Sequence, residues 1–302
     1  MTAIICGSFA YDHILEYKGK FNEHLIESDL NSLSVSFLCE DMRQEFGGCA
    51  GNIIYNLNGI NADAFAMGML GKDSSHYVNW LESKNISTKF IGIRDDSFTA
   101  QAYITTDNDN NQITTFHPGA MKYSGDLLIP SDGSISLGMI SPDGRDGMLS
   151  HTNQFIELGI PYVFDPGQGL PMFNKDELIF FTKHADWIIM NNYEYKMFYE
   201  KTKKPISEIV KEGKVFIVTN GSEGSEIYIN GNSLKINTRK QDKVLDPTGC
   251  GDAYRAGLIY GIMNNMPWEK TGELSSDLGS NKVSFYGTQN HSFPKYIKDN
   301  LI

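Results

Sequence analysis

A glycine-bracketed turn at residues 246–252, Asp-Pro-Thr-Gly-Cys-Gly-Asp, carries the strongest chemical signal in the sequence. The strand-like stretch Lys243–Leu245 precedes this turn, and a helical pattern of apolar residues follows it. Gly249 and Gly251 allow successive backbone N–H groups to point into one concavity at the positive end of a helix. Such a turn is suited to hold an oxyanion or a phosphoryl group during transfer.

Asp252 lies in the first turn of that helix, beside the expected anion site. An ionised carboxylate repels phosphate, so its presence there needs a chemical reason. One reason is a favourable interaction with the helix dipole. The other is that Asp252 is a base, which accepts a proton from a hydroxyl group that attacks phosphorus.

A second glycine turn, Gly47-Gly48, precedes a helical pattern that Asn52 opens. The two glycines could form a tight bend and no more, and the Asn52 amide could either cap the helix or contact a ligand. Ser8 and Asp12 directly follow the first apolar strand, at its carboxyl end. A carboxylate there suits a pair of sugar hydroxyls, since two O–H donors match its two acceptor oxygens. Ser8, Asp12, Gly48 and Asn52 are therefore candidates for holding a hydroxylated substrate.

Asn191 and Glu194 follow the apolar strand 187–190. An Asn and a Glu three positions apart at a helix start are typical of a capping box. The alternative is that their oxygens approach a hydrated Mg²⁺, which takes few protein ligands plus water and phosphate. A third strand-end turn could be a plain hairpin entry or could line a nucleotide; it comprises Thr219, Asn220, Gly221, Ser222, Glu223 and Gly224.

Composition restricts the classes of partner. The 302 residues carry a net charge of −11 and are 40% hydrophobic, which predicts a soluble globular protein. The negative charge argues against nucleic acid or an anionic membrane as a partner. No two of the four cysteines form a C-x-x-C pair, and no apolar run approaches the length of a membrane span, so we expect a reducing, cytoplasmic location. The sequence also lacks a P-loop motif.

Strand-like and helix-period segments alternate along most of the chain, which predicts an α/β fold with a mainly parallel central sheet flanked by helices. Two segments, about 10–46 and 88–118, interrupt this alternation with β-type patterns. We expect them to form a small β-sheet lid over the carboxyl ends of the parallel strands. A strong turn signal at Asn230-Gly231-Asn232 predicts a hairpin. Residues 1–302 should form a single domain with this lid inserted.

Together these motifs resemble the ribokinase-like, PfkB-type carbohydrate kinase family, over essentially the whole chain. Its N-terminal signature is similar to Gly47-Gly48-x-x-x-Asn52, its C-terminal signature to 246–252, and Asn191-x-x-Glu194 lies between them. The resemblance implies an anion hole made by Gly249, Cys250 and Gly251, and Asp252 as the catalytic base. It also implies that Asn191 and Glu194 organise Mg²⁺ and phosphates, with the ion reached through water. Pro247 and Cys250 replace the more usual Thr and Ala, but Cys250 still offers its backbone N–H.

Within the family, the chain looks most like bacterial adenosine and nucleoside kinases, on the strings 46–52, 105–107, 116–121 and 165–168. In the segment 88–118, Gln112, Thr114 and Phe116 share one face of a strand, and an aromatic ring with a nearby amide suits a purine. Phe116 could instead be part of the lid core.

The resemblance therefore implies ATP-dependent transfer of a phosphoryl group to the ribose 5′-hydroxyl of adenosine, as in purine salvage. A sugar kinase that acts on ribose or fructose is an alternative, and a non-catalytic nucleoside-binding sensor is another. The expected ligands are a nucleoside, ATP and Mg²⁺. A requirement for a monovalent cation such as K⁺, the base preference, and the choice between monomer and homodimer stay open.

Overall fold

Two β-sheets organise the computed structural model, which describes residues 1–23, 35–109 and 111–301. The larger sheet has nine strands and the smaller has four. In chain order the strands are β1 Ala3–Cys6, β2 Ala10–Glu16, β3 Asp41–Gly47, β4 Ala64–Gly71, β5 Phe90–Arg94, β6 Ala100–Thr106, β7 Gln112–His117, β8 Leu137–Ile140, β9 Tyr162–Phe164, β10 Trp187–Asn191, β11 Val215–Thr219, β12 Ser225–Ile229 and β13 Asn232–Ile236.

The larger sheet has the strand order β13-β12-β11-β10-β9-β8-β1-β4-β5. Its strands pair in parallel from β11 through β5, while β12 and β13 add an antiparallel hairpin at one edge. Asn230 and Gly231 join the hairpin with positive φ angles of 49° and 78°, the left-handed conformation that such tight turns require. The predicted α/β class and mainly parallel sheet are confirmed.

Helices cover both faces of the larger sheet. They are α1 Cys49–Gly59, α2 Ser75–Ser83, α3 Arg145–Leu158, α4 Lys175–His184, α5 Asn192–Thr202, α6 Ile206–Ile209, α7 Cys250–Met263, α8 Trp268–Lys282 and α9 Lys295–Lys298. Within the described parts of the chain, no helix combines the length and the apolar character needed to cross a membrane.

The side chains of β1 show how the two faces are divided. Ala3 and Ile5 pack with α1, α2, α7 and α8, whereas Ile4 and Cys6 pack on the other side with α3, α4, α5 and α6. Successive side chains of a strand point to opposite faces, so a strand that is covered on both sides must be apolar throughout. This explains the unbroken apolar run at the start of the sequence.

The smaller sheet has the order β3-β2-β6-β7 and forms the expected lid. Chain segments lead directly from β1 into β2 and from β3 into α1, so the lid sheet adjoins the carboxyl end of β1. One strand of the expected lid segment 88–118 lies elsewhere: Phe90–Arg94 pairs in parallel with β4 at the edge of the larger sheet. Its Phe90 ring packs edge-on against Phe65, with ring centroids 5.2 Å apart. Residues 24–34 of the expected segment 10–46 lie outside the described residues.

Candidate active site

The candidate residues meet at the carboxyl ends of the parallel strands, where open α/β sheets bind their ligands. Asn191 ends β10 and Thr219 ends β11, and the two residues are paired in register. The turn 47–48 and the turn 246–252 both lead into helix N-termini, those of α1 and α7. The two glycine turns and the two strand ends therefore surround one region.

The turn before α7 leaves backbone donors free. Gly249 has a φ of 77°, a left-handed conformation that glycine adopts without strain. The N–H groups of Gly249, Gly251 and Asp252 have no acceptor among the residues that the structure describes. Cys250 differs from our expectation, because its N–H donates to the carbonyl oxygen of Pro247 within the turn, at 3.2 Å. The geometry thus offers Gly249, Gly251 and Asp252, rather than Cys250, as anion donors.

Asp246, the first residue of this turn, stabilises its conformation through two hydrogen bonds. Its carboxylate accepts the N–H of Thr248 at 2.9 Å and the N–H of Gly287 at 3.0 Å. Burial alone would raise the pKa of Asp246, but these hydrogen bonds and the nearby Lys282 lower it. A Cβ atom on Gly249 would lie 2.9 Å from the Thr288 side chain, so the segment after α8 packs tightly against the turn.

Asp252 is half-buried and accepts a hydrogen bond from Asn52, with 2.8 Å between Nδ2 and Oδ2. Burial raises the pKa of Asp252 to about 6, while the hydrogen bond from Asn52 and the charge of Arg255 oppose that rise. The carboxylate is therefore ionised at neutral pH but is far more basic than an exposed one. Those are the properties of a general base.

A buried ion pair lies next to Asp252. Arg255 Nη2 and Asp165 Oδ1 are 2.7 Å apart, Arg255 Nε also donates to Asp165, and Arg255 Nη1 donates to the carbonyl oxygen of Gly251 at 3.1 Å. The arginine thereby links residues 246–252, which we call the anion turn, to the end of β9. Neither residue of this pair was predicted as a site residue. The signal available was a charged residue within the apolar pattern of α7, which needs a buried partner.

The orientation of the Asn52 amide is set by a chain of donors. The indole N–H of Trp80 donates to Gln289 Oε1 at 2.9 Å, and Gln289 Nε2 donates to Asn52 Oδ1 at 3.1 Å. Because an indole N–H can only donate, each amide in the chain has a single possible orientation, which leaves Asn52 Nδ2 facing Asp252. Gln289 Nε2 also donates to the hydroxyl of Tyr77 at 2.7 Å. Neither Trp80 nor Gln289 was predicted as a site residue.

The turn at Gly47-Gly48 is packed closely against the strand end. Gly48 has a φ of 87°, and a Cβ atom there would lie 2.6 Å from the Cα atom of Phe9. The buried Ser8 hydroxyl accepts the N–H of Cys49 at 3.0 Å. Ser8, which we expected to hold substrate, thus supports the start of α1 in this structure.

Asp12 lies on the lid strand β2 and faces the same region. A Cβ atom on Gly47 would lie 2.3 Å from Asp12 Oδ2, so glycine is needed there to leave room for the carboxylate. The carboxylate has no hydrogen-bond donor among the described residues. Burial and the negative charge of Asp252 raise the pKa of Asp12 to about 7. An accessible, unpaired carboxylate is well suited to accept hydrogen bonds from hydroxyl groups.

A row across the lid sheet connects Asp12 with Phe116. Asp12 pairs with Ala102 on β6, and Ala102 pairs with Phe116 on β7, so all three side chains share one face. Two strand spacings separate Asp12 and Phe116 by about 10 Å. The ring of Phe116 is 46% exposed, so it is not part of a lid core. Gln112, the first residue of β7, lies on the same face, four positions or about 13 Å along the strand from Phe116.

On the other side of the site, Asn191 and Glu194 form a complete capping box. Asn191 Oδ1 accepts the N–H of Glu194 at 2.8 Å, and Glu194 accepts from both the backbone N–H and the Nδ2 of Asn191, at 2.7 and 2.8 Å. Asn191 and Glu194 therefore cap the N-terminus of α5, as the first of the two interpretations predicts. Burial and the charge of Asp165 raise the pKa of Glu194. A carboxylate oxygen has two lone pairs, so Glu194 can still accept from the water shell of a cation.

The turn after β11 is open to solvent. Gly221, Ser222 and Glu223 are exposed, and the turn is closed by a hydrogen bond from the N–H of Asn220 to the carbonyl oxygen of Gly224, at 2.8 Å. Gly224 itself is buried, and a Cβ atom there would lie 2.0 Å from the Ile236 carbonyl oxygen. The exposed turn thus follows directly after Thr219, the register partner of Asn191.

Comparison with known proteins places this arrangement in a family. A family model described as pfkB family carbohydrate kinase matches residues 16–295. The chain belongs to this family.

Nucleoside kinases are among the most similar members. The nucleoside kinase of Burkholderia thailandensis, solved in complex with inosine, is 40% identical, with a TM-score of 0.90 and with 99% of this chain and 96% of that chain covered. The nucleoside kinase of Methanocaldococcus jannaschii is 29% identical over 96% of this chain and 93% of its own length. A ribokinase of Thermotoga maritima, 16% identical with a TM-score of 0.79, covers 99% of this chain and 98% of its own, and shows the fold alone.

Proposed function

We propose that this pfkB-family protein is an ATP-dependent nucleoside kinase, which transfers the γ-phosphoryl group of ATP to the ribose 5′-hydroxyl. One observation carries the proposal. Three groups follow in order from the anion turn outward along the lid. They are the carboxylate of Asp252, whose pKa is raised, the unpaired carboxylate of Asp12, and the exposed ring of Phe116. That order suits a phosphate acceptor group, a ribose and a base. The similarity to an enzyme solved with inosine supports the same assignment.

In this proposal Asp12, Gly48 and Asn52 hold the ribose. Asp12 accepts hydrogen bonds from two hydroxyl groups, and the tight turn at Gly48 brings backbone close to the sugar. Phe116 stacks on the base, and Gln112 contacts its edge. These contacts place the 5′-hydroxyl beside Asp252, which converts a bimolecular encounter into a positioned attack.

Asp252 then accepts the proton of the 5′-hydroxyl. As the hydroxyl oxygen forms a bond to the γ-phosphorus, the bond between that phosphorus and the ADP oxygen breaks. The N–H groups of Gly249, Gly251 and Asp252 stabilise the negative charge on the transferring group, with the dipole of α7 behind them. Catalysis thus rests on positioning and electrostatics, as expected for phosphoryl transfer. Closure of the lid would exclude water from the site.

The turn from Thr219 to Gly224 lines the nucleotide, with Asn191 beside it. Asn191 and Glu194 would hold a hydrated Mg²⁺ through water, a donor set of few protein oxygens that Mg²⁺ accepts. When bound, the ion would offset phosphate charge.

Adenosine is our first choice of acceptor, in a role in purine salvage, and inosine is the second because a relative binds it. The test is a panel of nucleosides, ribose and fructose incubated with Mg²⁺ and ATP, with products separated by chromatography. We expect nucleoside 5′-monophosphates and ADP. Phosphorylation of ribose or fructose with no nucleoside product would contradict the proposal. Nucleoside binding without any turnover would instead identify a sensor.

A further inference from the structure

Lys282, the last residue of α8, is completely buried and lies beneath the anion turn. Its Nζ donates to the carbonyl oxygen of Asp246 at 2.8 Å and to that of Phe285 at 3.2 Å. The same nitrogen is 3.8 Å from Asp246 Oδ2. The proposed reaction assigns this side chain no role, yet each of its contacts is with the anion turn or with the segment that braces the turn.

A buried ammonium group is costly unless its charge is compensated. Burial lowers the pKa of Lys282, and the carboxylate of Asp246 opposes that shift. Two main-chain carbonyl oxygens and a carboxylate lie near the nitrogen, and their negative charge compensates the positive charge of the ammonium group. Oxygen donors of this type would equally suit a small inorganic cation such as Na⁺ or K⁺.

The contacts of Lys282 explain what its charge stabilises. Asp246 begins the turn whose free N–H groups face the phosphoryl site, and Phe285 begins the return of the chain toward that turn. Two residues further on, the N–H of Gly287 donates to Asp246, and Thr288 packs against Gly249. The ammonium group therefore connects the start of the anion turn at Asp246 with the segment that begins at Phe285. These two segments together set the conformation of Gly249. It also places a positive charge near a site for negatively charged phosphate.

We propose that Lys282 is a built-in cation that positions the anion turn, so that the enzyme needs no soluble monovalent cation. Lys282 is a positioning residue, since it reaches the reacting groups through Asp246. This inference rests on the proposed nucleoside kinase activity and resolves the open question of a K⁺ requirement.

The first experiment uses the wild-type protein. Nucleoside phosphorylation with Mg²⁺ and ATP is measured in tetramethylammonium buffer, and KCl, NaCl or NH₄Cl is then added at constant ionic strength. We expect rates within about twofold of each other, because the added salts should act only through weak differences in screening. Turnover that requires K⁺ or Na⁺ would overturn the inference while leaving the proposed function intact. Absence of nucleoside phosphorylation under every condition would refute the proposed function instead.

The second experiment removes the charge. Lys282→Ala leaves space beneath the turn, and Lys282→Met fills that space without charge. We expect kcat/KM for ATP to fall about 10- to 100-fold in both, somewhat less than the loss of a direct oxyanion donor, with nucleoside affinity kept. Ammonium or K⁺ should restore part of the activity of Lys282→Ala and none of that of Lys282→Met.

Lys270→Met is the matched control, since Lys270 is an exposed residue of the same helix, paired with Glu273. It should keep the wild-type rate. Full activity in both Lys282 variants would overturn the inference, as would a loss that no cation restores in Lys282→Ala when that variant still binds nucleoside. If neither variant folds, the cation titration of the wild-type protein decides alone.

Discussion

Asn52 Nδ2 donates to Asp252 Oδ2 over 2.8 Å, a hydrogen bond that joins residues 200 positions apart. Each residue lies in the first turns of a helix, Asn52 in α1 and Asp252 in α7. The bond therefore links the turn at Gly47-Gly48, the proposed substrate site, to the turn 246–252, the proposed phosphoryl site. It also lowers the pKa of Asp252 against the effect of burial, so it helps to set the basicity of the proposed catalytic base.

We expect kcat/KM for the nucleoside to fall as the pH falls through about 7 and then about 6, the raised pKa values of Asp12 and Asp252. The sign follows from the chemistry, because a protonated Asp252 cannot accept the proton of the 5′-hydroxyl. A pH profile of kcat/KM measures this directly, since it reports groups of the free enzyme. A rate that stays constant down to pH values near 4, where ordinary carboxyls titrate, would contradict the assignment.

Replacing Gln289 extends this prediction to the chain of donors behind Asn52. In Gln289→Leu, Asn52 loses the donor that orients its amide, so its bond to Asp252 weakens. Because that bond lowers the pKa of Asp252, the acid limb of the profile should move to higher pH. Gln154→Leu is the control, since Gln154 holds the backbone at Ile129 and Leu127, on elements outside the site. A lowered melting temperature with an unmoved acid limb would make Gln289 merely structural.

The glycine turns of the candidate site could be predicted because their signals are local. Gly48 and Gly249 adopt positive φ angles within short turns, and such turns next to strand ends can be recognised from a few adjacent residues. The alternating pattern of apolar segments likewise predicted the parallel sheet, since each βαβ unit is visible in one stretch of sequence. The small sheet followed from the segments that broke this alternation.

The residues that hold the site together could not be predicted in this way. Arg255 meets Asp165 across 90 positions, and Gln289 meets Asn52 across 237. No spacing rule links such partners, because the packing of helices and loops that are distant in the sequence brings them together. The same limit applies within the anion turn, where hydrogen bonding inside the turn uses the N–H of Cys250 and leaves that of Asp252 free. Only the geometry of the turn distinguishes those two groups.

Phe116→Ala separates a nucleoside site from a sugar site. Loss of base stacking should remove about 1–3 kcal/mol, a roughly 5- to 150-fold fall in kcat/KM for adenosine or inosine. Any weak activity on ribose should change little, because ribose has no base to stack. Tyr103→Ala is a matched control, as Tyr103 is similarly exposed but lies on the opposite face of the lid sheet. An equal loss on both substrates, with a lowered melting temperature, would assign Phe116 to lid stability.

Glu194→Gln should raise the Mg²⁺ concentration needed for half-maximal rate, since it removes negative charge from the expected ion environment and keeps the side-chain shape. Glu177→Gln provides the control: Asn174 and Glu177 form the same capping box at the start of α4, at a helix start that is not part of the candidate site. Both substitutions weaken a cap, so both should lower stability modestly. If the two variants show the same Mg²⁺ dependence as the wild type, Glu194 caps helix α5 and has no part in binding Mg²⁺.

The most direct test of the account compares Asp252→Asn with the wild-type protein, by nucleoside binding and by single-turnover phosphorylation. The amide keeps the size of the side chain but cannot accept a proton. We expect nucleoside affinity within a few-fold of wild type and a phosphoryl-transfer rate lower by about 10²–10⁴-fold. A variant that kept more than about a tenth of the wild-type rate would exceed what loss of a general base permits, and would reduce Asp252 to a partner of the helix dipole.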